Sequence, residues 1–73
     1  MEKEVFLQNL AELMDTEQEL TMDTVLGTVE EWDSLSYIAY MAFCVQNTGR
    51  QVSPKQVKAA KIVEDLYMLM CGE

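Results

Sequence analysis

Apolar residues recur along the chain at helical spacing, in stretches that are separated by polar turns. In the first stretch they follow one another at intervals of one, three and four residues, with the acids Glu2 and Glu4 before them and Glu12 among them: Val5, Phe6, Leu10, Leu13 and Met14. Such spacing places apolar side chains on one face of a helix. The pattern therefore predicts a first helix over residues 2–14.

The helical pattern breaks over residues 15–33, where single apolar residues interrupt a polar segment: Leu20, Met22, Val25, Leu26 and Val29. Gly27 permits a tight bend there. Loops of this length in small domains are usually functional or disordered. We expect the spaced apolar residues to pin this loop to the core, which favours order. We expect an ordered loop with one short helical turn, which packs across the bundle and presents Trp32, Asp33 and Ser34 at one end.

Three further helices are predicted downstream. The second runs from Ser34 to about residue 48, because Asp33 and Ser34 are both good capping residues and Gly49 is a good terminator. A short third helix has Ser53 as its cap and Pro54 at its first position, and reaches about residue 59. The last helix covers residues 62–70. For a chain of 73 residues, this predicts one all-α domain over residues 1–73, a small three- or four-helix bundle with a long loop between its first two helices.

Charge and composition exclude several classes of function. The net charge of −8 is uneven, since residues 1–33 hold ten acids and one lysine, whereas residues 50–61 hold four cations and no acid. The acidic front repels phosphate backbones and attracts basic protein surfaces, which disfavours nucleic-acid binding. There is no histidine, so the most common acid or base near neutral pH is missing. We therefore expect a protein that is not an enzyme.

The chain lacks the signals of membrane insertion and export. No stretch approaches the ~20 consecutive apolar residues that span a bilayer, and the start, Met1-Glu2-Lys3-Glu4, has neither the basic start nor the apolar core of a signal peptide. We expect a cytoplasmic protein. Cys44 lies inside the apolar second helix and Cys71 is the third residue from the end, so we expect a buried thiol and a thiol at a fraying helix end.

A serine lies at the start of the second helix, directly after an acidic turn. The run Glu30-Glu31-Trp32-Asp33-Ser34-Leu35-Ser36 is followed by a stretch from Tyr37 to Val45 without a charge. A serine at a helix N-terminus lies near loose N–H groups and the positive end of the helix dipole, which stabilise a phosphodiester on its oxygen. The alternative is that Ser34 is merely an N-cap.

Landmarks over most of the chain resemble those of stand-alone acyl carrier proteins. They are Leu20-Thr21, Asp23-Thr24, Leu26 and Val29, then Trp32-Asp33-Ser34-Leu35-Ser36, an apolar helix ending at Gly49, Val52, and Ala60-Lys61-Ile62-Val63-Glu64-Asp65-Leu66. In that family a separate Mg-dependent phosphopantetheinyl transferase moves 4′-phosphopantetheine from coenzyme A to the serine of Asp-Ser-Leu, and the thiol of this arm carries acyl groups as thioesters. The resemblance implies that Ser34 is that serine, flanked by Asp33 and Leu35, in fatty-acid or related lipid or polyketide biosynthesis.

The resemblance also implies a partner surface around Ser34. The family often carries acids along the second helix, whereas here Ser36, Ala39, Val45, Gln46 and Asn47 occupy those stretches. We therefore expect Leu35, Ala39 and Ala42 to make apolar contact with acyl-loading and synthase enzymes that have basic surfaces. The acidic residues that would steer such enzymes are Asp23, Glu30, Glu31 and Asp33. Tyr37, Tyr40, Met41 and Cys44 should face the core of a monomer.

Other hypotheses stay open beside this one. The same serine and fold serve aminoacyl or peptidyl carriers, and an unmodified helical interaction module would also use an uncharged helix. A calcium loop at residues 15–26 is disfavoured, because Leu20 and Leu26 stand where a glycine and a bidentate glutamate are needed. We expect Trp32 to be a packing lid over the bundle end. The cations Arg50, Lys55, Lys58 and Lys61 should form a solvated face.

Six apolar residues from three helices are expected to shelter a short acyl chain between the second helix and its neighbours. They are Phe6, Leu10, Met41, Cys44, Ile62 and Leu66.

Overall fold

Four α-helices and one short 3-10 turn make up the regular structure of residues 1–71, the part of the chain that our computed structural model describes. The helices are α1 (Lys3–Met14), α2 (Ser34–Thr48), α3 (Pro54–Ala59) and α4 (Val63–Cys71), and the 3-10 turn covers Leu26–Thr28. Within these residues there is no strand, only an isolated antiparallel bridge between Val25 and Ile62. The predicted all-α bundle is confirmed, and each helix lies within one residue of its predicted limits.

Helix α2 is the centre of the bundle, because it packs against each of the other three helices. Its core-facing side chains Tyr40 and Cys44 are fully buried, whereas Tyr37 and Met41 are only partly buried. The thiol of Cys44 is free, and burial raises its pKa. The rest of the buried apolar core comes from α1, α3, α4 and the long loop: Phe6, Leu10, Met14, Leu20, Leu26, Val29, Val57, Val63, Leu66 and Met70.

The loop of residues 15–33 is ordered by backbone hydrogen bonds to the start of α4. The N–H of Leu26 donates to the carbonyl of Lys61 at 2.9 Å, and the N–H of Val63 donates to the carbonyl of Thr24 at 3.0 Å. This pairing leaves the side chain of Val25 half exposed, so the expectation that it pins the loop to the core is wrong. The 3-10 turn confirms the predicted short helical turn.

The start of α4 is held by a carboxylate. One oxygen of Asp65 accepts hydrogen bonds from the backbone N–H groups of Lys61, at 2.9 Å, and Ile62, at 3.2 Å. These bonds favour the ionised form and hold the pKa of Asp65 below its usual value. Its contribution to stability is therefore present above the unfolded-state pKa of about 3.9, and is lost as pH falls through the lower folded-state value.

None of the helices within residues 1–71 has the length and apolar character needed to cross a membrane.

Gly49 ends α2 in the left-handed region at φ 71°, with its N–H bonded to the carbonyl of Val45. A Gly49→Ala substitution should lower the free energy of unfolding by about 1 kcal/mol, because a Cβ atom is disfavoured at that φ. Gly27 is the matched control, since it also faces open space but has no positive φ. Its replacement by alanine should change stability by less than about 0.5 kcal/mol in urea unfolding. Equal losses for both variants would contradict this explanation.

Candidate functional site

Asp33 is the N-cap of α2. One of its carboxylate oxygens accepts hydrogen bonds from the backbone N–H groups of Leu35 and Ser36, both at 3.1 Å. The sequence offered two capping residues, and the structure assigns the role to Asp33 and places Ser34 at the first helical position. The alternative that Ser34 is merely the N-cap is therefore wrong.

The Ser34 side chain is exposed at the start of α2. Within residues 1–71, none of the hydrogen bonds uses its hydroxyl or its backbone N–H. The hydroxyl is thus accessible, and it lies at the positive end of a fifteen-residue helix. A phosphorylated group attached to this oxygen would extend into solvent, beside the neighbouring exposed side chain of Leu35, so the residues present fit a covalent 4′-phosphopantetheine arm.

The other two serines of the chain have structural roles. Ser36 is buried, and its hydroxyl donates to the carbonyl of Glu31. Ser53 caps α3 in a capping box, in which its hydroxyl accepts from the N–H of Gln56 at 3.2 Å and the Gln56 side chain bonds back to the N–H of Ser53. Of the three serines, only Ser34 combines exposure with a hydroxyl that has no such role.

Hydrogen bonds and ring packing hold the acidic turn against α2. Besides the Ser36 bond to Glu31, the N–H of Trp32 donates to the carbonyl of Val29 at 3.1 Å. The Trp32 ring packs edge-on against Tyr37, with centroids 4.9 Å apart, and against Tyr40 at 6.2 Å. This packing confirms Trp32 as a packing lid beside the start of α2.

The structural role of Ser36 was missed by sequence reasoning. A signal was present, because residues 36, 40 and 44 recur at intervals of four and so lie on the same helix face. All three are buried.

The predicted steering acids divide into two groups. Glu30, Glu31 and Asp33 belong to the same turn as Ser34, with Glu30 and Asp33 exposed and Glu31 half-buried. Asp23 is exposed too, but it lies between Met22 and Thr24, whose carbonyls accept from the N–H groups of Glu64 and Val63 at the start of α4. Asp23 is thus placed on the segment beside α4, and no described contact joins it to the acidic turn.

An apolar ridge runs along the solvent side of α2 from the residue next to Ser34. Its largest members are Leu35, 77% exposed, and Ile38, 61% exposed, followed by the exposed Ala42 and by Val45, 45% exposed. We call these four residues the α2 ridge. Leu35 and Ala42 were predicted partner contacts, and the predicted contact Ala39 is only partly exposed. Ile38 and Val45 were missed, although the intervals of three, four and three in the ridge are helical.

Five of the six residues expected to shelter an acyl chain belong to the buried core or pack against it. Phe6, Leu10, Cys44 and Leu66 are fully buried, and Met41 is partly buried against this core. Ile62 is partly buried. Two recesses within residues 1–71 are open at the surface, and none of these six residues lines either one. An acyl chain would therefore have to open space between the helices.

One of these recesses is acidic. It is lined by Glu30, Glu31, Thr28 and residues 15–18. Within residues 1–71, no group of three or more His, Cys, Asp or Glu side chains is arranged to hold a metal ion.

No family model matches this chain, and neither a curated protein nor a solved structure matches it.

Proposed function

We propose that this chain is an acyl carrier protein of fatty-acid or related lipid or polyketide biosynthesis, which bears 4′-phosphopantetheine on Ser34. The observation that carries the proposal is the exposed Ser34 hydroxyl, which lies in Asp-Ser-Leu at the start of α2 while Asp33 performs the capping. The resemblance of the ordered landmarks to acyl carrier proteins supports it. We propose that the protein acts as a monomer in the cytoplasm.

The proposed chemistry belongs to partner enzymes. A phosphopantetheinyl transferase would bind coenzyme A with magnesium, and the Ser34 oxygen would attack the phosphorus that bears the pantetheine. A phosphorus–oxygen bond forms, the pyrophosphate bond breaks, adenosine bisphosphate leaves, and the hydroxyl proton passes to a base of the transferase. The chain itself would contribute an accessible nucleophile at the start of α2, and the thiol of the arm would then carry acyl groups as thioesters.

Two other candidates share parts of this site. An aminoacyl or peptidyl carrier would use the same serine, and the mass of the natural cargo separates it from an acyl carrier. An unmodified interaction module is favoured by the α2 ridge, because an exposed apolar strip on a helix without charge suits docking in an apolar groove. Such a module has no use for an accessible serine.

One experiment decides between carrier and module. The purified protein is incubated with coenzyme A, magnesium and a promiscuous phosphopantetheinyl transferase, and its intact mass is measured. The carrier hypothesis expects the mass of a single phosphopantetheinyl group to be added. A protein whose mass stays that of the bare polypeptide, while a known carrier in the same tube is modified, would refute the proposal.

The proposed partner surface has two parts with different kinetic roles. The acids of the turn act at a distance and raise the association rate, whereas the α2 ridge makes contact and lowers the dissociation rate. Exposed charges are screened beyond about 8 Å at physiological ionic strength, so the electrostatic part should weaken with salt. The ridge is uncharged and should be less sensitive to salt.

Replacing Glu30 and Glu31 by lysine should slow association with the transferase about tenfold or more at low salt, because the change turns attraction into repulsion next to Ser34. The matched control replaces Glu2 and Glu4, which are exposed at the start of α1, with the same change in net charge. Stopped-flow association rates of both variants measure the effect. Equal slowing in the two variants would show that net charge, rather than the turn, governs the encounter.

Acylation of the arm should stabilise the bundle if the chain enters the core. Each buried methylene contributes about 0.8 kcal/mol, and 1 kcal/mol shifts the melting temperature by about 4–8 °C in a domain of this size. We therefore expect the octanoyl form to melt several degrees above the unacylated arm-bearing form. Superimposable melting curves, with unmoved amide shifts at Phe6, Leu10 and Cys44, would show that the chain stays outside.

A further inference from the structure

A second recess lies on a different part of the protein, between α3 and α4. Ala59 and Ala60 line its α3 side, and Met68 and Leu69 line its α4 side, with a volume of about 700 Å³. Met68 is 53% exposed, so apolar surface is open to solvent here. The recess is open to solvent rather than enclosed, so a small ligand bound here would stay partly exposed.

Two cations border this groove. Arg50 follows the end of α2, and its guanidinium donates from Nη1 to the carbonyl of Leu69 at 3.3 Å. This bond holds the guanidinium against the α4 side and leaves other N–H donors for a ligand. Lys61, just before α4, also lines the groove. Both belong to residues 50–61, the part of this acidic chain that has cations and no acids.

The acidic group at the groove is already engaged. Asp65 lines it, but its carboxylate accepts from the backbone N–H groups of Lys61 and Ile62. These bonds favour the ionised carboxylate, whose negative charge offsets one of the two positive charges at the groove. Arg50 and Lys61 together leave the groove with an excess of positive charge beside an apolar floor.

The short length of α3 limits what the groove can hold. A six-residue helix is about 9 Å long, because each residue adds about 1.5 Å. A partner helix needs contacts over two turns or more, so the groove is better suited to a small molecule. We propose that it binds a small amphiphilic anion, with a carboxylate or phosphate head on Arg50 and Lys61 and a short apolar body against Met68, Leu69 and Ala59.

This site is separate from the Ser34 site. Ser34 begins α2 and Arg50 follows its end, and a fifteen-residue helix is about 22 Å long. The proposal therefore does not depend on whether Ser34 carries an arm. A ligand bound in the groove would be a second molecule, held without a covalent bond.

Amide chemical-shift titrations test the proposal with the Ser34→Ala protein, which cannot carry an arm on that residue. Octanoate and octyl phosphate are the probes, because both present an anionic head and the same apolar body, and the tighter one identifies the preferred head. Octanol lacks the charge and acetate lacks the apolar body. We expect saturable shifts at residues 59, 60, 68 and 69 with both probes, and at least about fivefold weaker binding for octanol and acetate.

The variant Arg50→Gln should weaken binding of the anionic probes about tenfold, through the loss of charge-assisted hydrogen bonds. Lys55→Gln is the matched control, because Lys55 is an exposed cation of α3 that does not line the groove, and it should bind as before. Met68→Gln offers a second test that leaves the charge unchanged, and it should weaken octanoate binding more than acetate binding. The proposal would be overturned if the shifts do not saturate, or if the Arg50 and Lys55 changes have equal effects. It would also be overturned if the shifts centre on Phe6, Leu10 and Cys44.

Discussion

A Tyr40→Ala substitution should lower the free energy of unfolding by about 3–5 kcal/mol, which is most of the roughly 5 kcal/mol expected for a domain of this size. Tyr40 is fully buried at the centre of α2. Its ring packs edge-on against Trp32, and its hydroxyl donates to the backbone carbonyl of Leu66 in α4. The substitution removes all of these contacts and leaves a cavity where α2 meets α4. Urea unfolding followed by circular dichroism measures the loss.

Tyr40→Phe is the matched control, because it keeps the ring and removes only the hydroxyl. Burial raises the pKa of Tyr40, so the hydroxyl stays protonated and remains a donor at neutral pH. Its loss should cost about 1 kcal/mol. If Tyr40→Phe is as damaging as Tyr40→Ala, the hydrogen bond rather than the packing of the ring holds α2 to α4, contrary to this account.

A Ser34→Ala substitution should abolish transfer of phosphopantetheine while the fold persists. The Ser34 side chain is exposed and its hydroxyl makes no hydrogen bond within residues 1–71, so its removal should change stability by less than about 0.5 kcal/mol. The intact mass after treatment with the transferase should be that of the bare polypeptide. If this variant still gains the mass of the prosthetic group, Ser34 is not the site of attachment.

The variants Ser36→Ala and Ser53→Ala should separate an effect on stability from an effect on the transfer of phosphopantetheine. The first loses the hydroxyl bond to Glu31 and the second loses the capping box of α3. Each should cost about 1 kcal/mol of stability and still accept the prosthetic group. Loss of transfer in the folded Ser53→Ala protein would point to a reacting hydroxyl other than that of Ser34.

The helix limits could be predicted from the sequence because local signals determine them. Ser53 and Pro54 mark the start of α3, and Gly49 adopts the left-handed conformation that ends α2. These signals act within one helical turn, so a single sequence contains them. The choice between Asp33 and Ser34 as the cap was not decided by residue type, since both are good caps. It required the backbone geometry of Asp33.

Other features depend on distant parts of the chain and were predicted wrongly or missed. Val25 is half exposed because its segment pairs with the start of α4, far along the sequence. The same pairing places Asp23 beside α4. The exposure of Ile38 and Val45 depends on which sides of α2 the other helices cover, and α2 is too uniformly apolar for its own pattern to decide this.

The most direct test of the central claim is the mass of this protein as isolated from the cells that make it. The protein is purified without added transferase, weighed intact, and fragmented to locate any added group. The carrier account predicts a phosphopantetheinyl group on the fragment that contains Ser34. In part of the population this group should also carry an acyl group, seen as a further increase in mass that hydroxylamine removes because the acyl group is linked as a thioester. A protein that carries no such group on Ser34, from cells whose known carrier proteins are fully modified, would contradict the account.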